Sequence, residues 1–142
     1  MPLLGALLIS VTLAACGESS QDKAKKEVCG ARTEISKQIS KLQGLTPTTS
    51  AVNEAKSSLE VISKELKKIK DAQHNLAPAR REQVEPAVKA FESELKTIAS
   101  SVGASLSGGL ESALKNAGPQ LKSAVSKLAN SYQQALAPIN CS

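Results

Sequence analysis

Thiols are the most reactive groups in this chain. There are three, Cys16, Cys29 and Cys141, beside a single histidine, His74, and scattered serines and carboxylates. A thiolate can attack a substrate, bind a metal, or be held in a disulfide or thioether. Cys29, Cys141 and His74 lack the C-x-x-C or H-x-x-x-H spacing of a metal site, so none is expected, although an antiparallel topology could bring all three to one end. Nucleophilic catalysis lacks its parts as well. There is no G-x-S-x-G elbow and no phosphate-binding glycine loop, and a lone histidine supplies no triad. Gly108-Gly109 reads as a helix break, and Glu92 and Glu94, two apart, face different ways on a helix. These patterns predict neither an active site nor a cofactor.

Cys16 sits at the end of an apolar run. From Pro2 to Ala15 there is no charge, and Leu3, Leu4, Leu7, Leu8, Ile9, Val11 and Leu13 make a helix-forming apolar segment ending in small residues. A spanning helix needs about 20 apolar residues, so the run is too short to cross a bilayer and has the shape of a secretory signal. Leu13-Ala14-Ala15-Cys16 resembles the lipobox of bacterial lipoproteins. The resemblance covers residues 1–17 and implies acylation of Cys16, cleavage just before it, and a lipidated N-terminus at Cys16. Small residues at Ala14 and Ala15 admit an intramembrane protease, and the thiol carries the diacylglycerol thioether. Each buried methylene contributes about 0.8 kcal/mol, so two or three acyl chains anchor effectively permanently. The segment departs from the pattern in lacking Lys or Arg over Met1–Gly5, which leads us to expect a true start upstream of Met1. In a host with an outer membrane, Gly17 lacks the Asp that commonly signals inner-membrane retention in such families.

If Cys16 carries lipid, Cys29 and Cys141 remain as one pair in an oxidising compartment, and a disulfide between them is expected. The domain plan is then residues 1–15 as lipoprotein signal peptide, 16–22 as lipidated N-terminus and tether, and 23–142 as folded domain. Removing residues 1–15 from the 142 leaves 127, one domain's worth.

Charge and composition narrow the partners. The net +5 lies wholly beyond residue 15, and residues 22–43 hold six basic against three acidic side chains. Near a membrane each such cation can contribute roughly 1 kcal/mol with anionic headgroups, though a solvated linker and helix face explains the excess too. Lys64, Lys67, Lys68 and Lys70 form the densest basic run, interrupted by Glu60, Glu65 and Asp71. With one Phe, one Tyr and no Trp there are no platforms for base stacking, and nucleic acid is not an expected partner.

The elements that must position these residues are helices. Val28, Ala31, Ile35, Ile39 and Leu42 recur at spacings of three and four, predicting a helix from near Asp22 to Leu42 that Gly44 ends. Gly30 within it should loosen the first turns unless Cys29 is pinned. After a loop around Pro47, capped by Thr49 or Ser50, Val52, Ala55, Leu59, Ile62, Leu66 and Ile69 keep an a/d period, with Glu60 and Lys64 as an outer i,i+4 pair. A turn over Gln73–Ala77 leads to Pro78 at a first helical position, and Val84, Val88, Phe91, Leu95, Ile98 and Val102 form the third stripe. Pro86 falls inside it, and because the period continues in phase a bend is expected there. Residues 103–118, with Leu106, Leu110 and Leu114, are broken by Gly108-Gly109 and Gly118-Pro119, predicting a short helix from about Leu110 to Asn116. Pro119 should then open a last helix with Leu121, Val125, Leu128, Tyr132 and Leu136, ending at Pro138.

No period-2 run appears, so the expected fold is all-α: an antiparallel up-down bundle of about four helices. An even number of helices returns the chain to the end where it began, which places Cys29 and Cys141 together. Two function classes follow. One is a non-enzymatic structural or interaction module, lipid-anchored at the cell membrane or surface and facing an envelope protein or anionic wall polymer. The other is a carrier holding a lipid or other apolar ligand between helices, with the glycine breaks at residues 103–118 as its lid. The layout of Cys29, the helices, then Ser131-Tyr132-Gln133 before Cys141 is similar to small uncharacterised lipoproteins of actinobacterial type, a resemblance that brings no function with it.

Overall fold

A computed structural model describes residues 19–46, 49–107 and 110–142. The chain there forms four helices, α1 (Ser20–Gln43), α2 (Thr49–Ala72), α3 (Pro78–Ser107) and α4 (Leu110–Ala135), with a single 3-10 turn at Gln73–Asn75 and no strand among the described residues. The expected all-α up-down bundle is the observed fold.

The apolar stripes predict the core closely. Val28, Ile35, Ile39 and Leu42 of α1, Leu59, Ile62, Leu66 and Ile69 of α2, Val84, Val88, Phe91, Leu95 and Ile98 of α3, and Val125, Leu128 and Tyr132 of α4 are all buried in one cluster. Such spacing puts each set on one helix face, and burying those faces against one another is the main favourable term. Phe91 is fully buried at the centre and meets the Tyr132 ring edge-on, 6.4 Å between centroids. Leu76 and Ile139, outside the helical stripes, complete the core from the turn after α2 and from the tail after α4. The side chains of Val52, Val102, Leu106, Leu110 and Leu114, and the capping roles expected of Thr49 or Ser50, lie outside the described residues.

Four boundaries differ from expectation. Helix α1 starts at Ser20 rather than near Asp22, because Ser19 caps it: its Oγ accepts from the Asp22 N–H at 3.2 Å and donates to the Asp22 carboxylate at 2.9 Å. A short helix ending near Asn116 and a new start at Pro119 are not found, and α4 runs unbroken through Pro119. Pro119 removes one N–H, while the residues flanking Gly118-Pro119 are good helix formers whose apolar period stays in phase across them. Helix α3 runs through Pro86, as its in-phase stripe predicts, but continues past Gly103 to Ser107. The exposed Pro86 sits on the solvent side, between the buried Val84 and Val88. Helix α4 itself stops at Ala135, three residues short of Pro138.

The packing is uneven. Helices α1 and α2 form one closely packed hairpin and α3 and α4 another, whereas the α2–α3 and α1–α4 seams joining the two hairpins are sparser. The candidate sites lie on these seams.

Candidate functional site

The α1–α4 seam is sutured. Cys29 on α1 and Cys141 beyond α4 are bonded, with Cα atoms 5.8 Å apart and a sequence separation of 112. Around the bond, the tail after Ala135 is held carbonyl by carbonyl. The Arg32 guanidinium donates to the carbonyls of Ala137 and Ile139, Gln83 donates to Pro138 at 3.2 Å, Arg80 to Asn140, and Lys25 to the Ser142 carbonyl. The Tyr132 hydroxyl donates back to the Arg32 carbonyl at 3.4 Å. A helix end leaves carbonyls without intrahelical partners, and cations are favoured at that pole. Sequence reading found the two cysteines and missed Arg32, Arg80 and Gln83. The available signal was a Pro-terminated helix followed by a short tail that must be held, but nothing in the spacing says which cations hold it.

A shallow hollow of about 690 Å³ lies along this seam beside Arg32, Ser36, Lys37, Lys41 and Tyr132. Its polar groups are largely committed. Arg32 holds the tail, Thr33 donates to the Cys29 carbonyl at 2.9 Å, Ser40 to that of Ser36 at 3.1 Å, and Lys37 lies 3.7 Å from Glu34.

The α2–α3 seam is open by contrast. Its groove has a volume of about 870 Å³, with Leu59, Leu66 and Leu95 at the floor and five lysines against three carboxylates at the rim. Lys70 crosses the seam to Glu92 at 3.0 Å, and Lys96 reaches the same carboxylate at 3.4 Å. The hydrogen bond from Lys70 chiefly holds the Glu92 carboxyl below its ordinary value, partial burial opposing and Lys96 adding to the effect. Lys56, Lys64 and Lys67 form no ion pair among the described residues. The expected Glu60–Lys64 pair is therefore not closed. Helix α2 instead pairs Lys68 with the nearly buried Glu65 at 2.7 Å, one turn of the helix being enough to choose between neighbouring partners.

The other sequence candidates are dispersed. His74 is exposed in the 3-10 turn, where its carbonyl accepts from Arg81 at 2.9 Å, and no group of three or more His, Cys, Asp or Glu among the described residues is placed to hold a metal ion. Glu92 is tied into the α2–α3 seam, while Glu94 lies half-buried on another side of α3. Cys16 and the apolar run before it lie outside the described residues. Among the described residues no helix is long and apolar enough to cross a membrane.

Fold and seams together define a disulfide-closed, up-and-down four-helix bundle with one sutured and one open side. No protein-family model matches the chain, and comparison with curated proteins and with solved structures finds no match either.

Proposed function

We propose that this chain is a lipid-anchored protein of the cell envelope, held to the membrane through acylated Cys16 after removal of residues 1–15, and that its helical domain is a non-enzymatic structural or interaction module. The observation that carries the reading is the pairing of Cys29 with Cys141. A disulfide belongs in an oxidising compartment, and once these two thiols are joined Cys16 is the odd one left, at the end of a signal-like run. Its partners on this reading are the bilayer, through the anchor, and an envelope protein or anionic wall polymer. Intact mass spectrometry of membrane-extracted protein tests the anchor. The expected species begins at Cys16 and carries a diacylglyceryl adduct; cytosolic material with Met1 intact, a free Cys16 thiol and reduced Cys29 and Cys141 would overturn it.

A second reading, the carrier of an apolar ligand, is favoured by the open α2–α3 groove. The lid assigned to residues 103–118 does not support it in the form expected, since α3 continues to Ser107 and α4 begins at Leu110. Native mass spectrometry after gentle extraction separates the two readings: a co-purifying lipid mass supports the carrier, and a bound protein partner supports the module.

A further inference from the structure

We infer that the α2–α3 groove is a binding site for a single-chain amphiphile with a carboxylate head, a long-chain fatty acid anion, with Lys64 and Lys67 at the head and Leu59, Leu95 and Ala99 along the chain. The inference deepens the carrier reading and rests on it. Two independent features of the groove point the same way. Its shape is elongated: the lining runs from Lys56 to Lys70 along α2, about 21 Å at the helical rise, of which about 12–17 Å extends from Lys64 and Lys67 past Leu59 to Lys56, and its 870 Å³ lies within the range of small-ligand sites. Its chemistry is divided, with leucine edges at the floor and ammonium groups at the rim. Lysine stems can lie along an acyl chain while their charged ends reach its head.

The charges are arranged for an incoming anion. Lys70 and Lys96 already share Glu92, so they close one end of the seam. Lys64 and Lys67 are three residues apart, hence neighbours on one helix face, and neither has an ion-pair partner among the described residues. A carboxylate between them would satisfy both.

The same observations disfavour other occupants. A partner helix needs an exposed apolar stripe, and Leu59, Leu66 and Leu95 are no more than 8% exposed. A second copy of this chain would bring its own net +5 to a lysine rim. A flat bilayer surface does not reach a concave floor.

The test uses the full chain in nanodiscs of zwitterionic phospholipid, exposed to a photoreactive hexadecanoate, with the cross-linked residues mapped by mass spectrometry. Labels are expected to concentrate in residues 56–70 and 92–99, to be displaced by unlabelled hexadecanoate, and to resist hexadecyltrimethylammonium. The double variant Lys64→Gln/Lys67→Gln should lose about tenfold in labelling, while Lys64→Arg/Lys67→Arg retains it. Both exchanges are at exposed positions, and circular dichroism is the check that the variants stay helical. Labels spread along the chain in proportion to exposure, equal displacement by the cationic amphiphile, full labelling of the glutamine variant, or stronger groove labelling by a photoreactive phospholipid would each overturn the inference. The same spectra report the Cys16 mass, so an unacylated Cys16 with a labelled groove removes only the anchor, and an acylated Cys16 with an unlabelled groove removes only the site.

Discussion

Glu92 shows how a single side chain links two hairpins. Its carboxylate is only 26% exposed and faces Lys70 from α2 and Lys96 from its own helix. Because its folded value is depressed below the ordinary 4.5, its stabilising contribution is complete above that pH and is lost as the pH falls through the folded value. Glu92→Gln should therefore cost up to about 1 kcal/mol at neutral pH, and wild type and variant should converge in acid when urea midpoints are compared. A gap that persists unchanged at low pH would mean that the cost is packing rather than charge. Gly30 makes a contrasting case. An added Cβ there meets nothing within 4 Å, and the position is helical and exposed, so Gly30→Ala should stabilise by about 0.5–1 kcal/mol. The looseness that Gly30 suggests in sequence is countered by its neighbour Cys29, which is fastened to the tail.

At the scale of elements, both proline-containing helices are unbroken, and this has a measurable consequence. Pro86 and Pro119 each remove an N–H from a helix interior and are exposed, so Pro86→Ala and Pro119→Ala should each raise stability, by about 1–3 kcal/mol. Were Pro119 the first residue of a separate helix, alanine there would be neutral or mildly destabilising, so a thermal melt of P119A distinguishes the two arrangements. The tail after α4 is the other informative element. Arg32→Ala removes the donor to two of its carbonyls and should cost about 1.5–3 kcal/mol, with amide hydrogen exchange rising over residues 136–142 before it rises in α2. Uniform acceleration through all four helices would show instead that the tail is not a separate unit.

The whole molecule is closed by one covalent bond on one side and left open on the other. A loop of about 100 residues cross-linked by a disulfide is stabilised by about 4.7 kcal/mol in the chain-entropy account, against typical totals of about 5–15 kcal/mol. Reduction of Cys29–Cys141 should therefore lower the melting temperature by on the order of 15 °C. Identical melts with and without reductant would show that the bond is dispensable. The bond also fixes the α1–α4 seam, whereas the α2–α3 seam, bridged at one end by Lys70 and Glu92, carries the open groove.

By itself the sequence determined the helices, their buried faces and the end of the bundle at which the cysteines meet. Val28 to Leu42, Leu59 to Ile69 and Val84 to Ile98 repeat at the helical period, and such periodicity is a local property that burial has only to confirm. The Ser19 cap carried a sequence signal, a serine three residues before an aspartate, that the expected start near Asp22 overlooked. The continuity of α4 through Pro119 was harder to see, because local breakers compete with a stripe whose value depends on the surface it packs against. Only the tertiary structure decided that Arg32, Arg80 and Gln83 hold the tail, that Ile139 enters the core, that Lys70 meets Glu92, and that lysines line a groove between α2 and α3. These are contacts between residues 22 to 107 positions apart, set by how two hairpins lie against each other, and no local period encodes that placement.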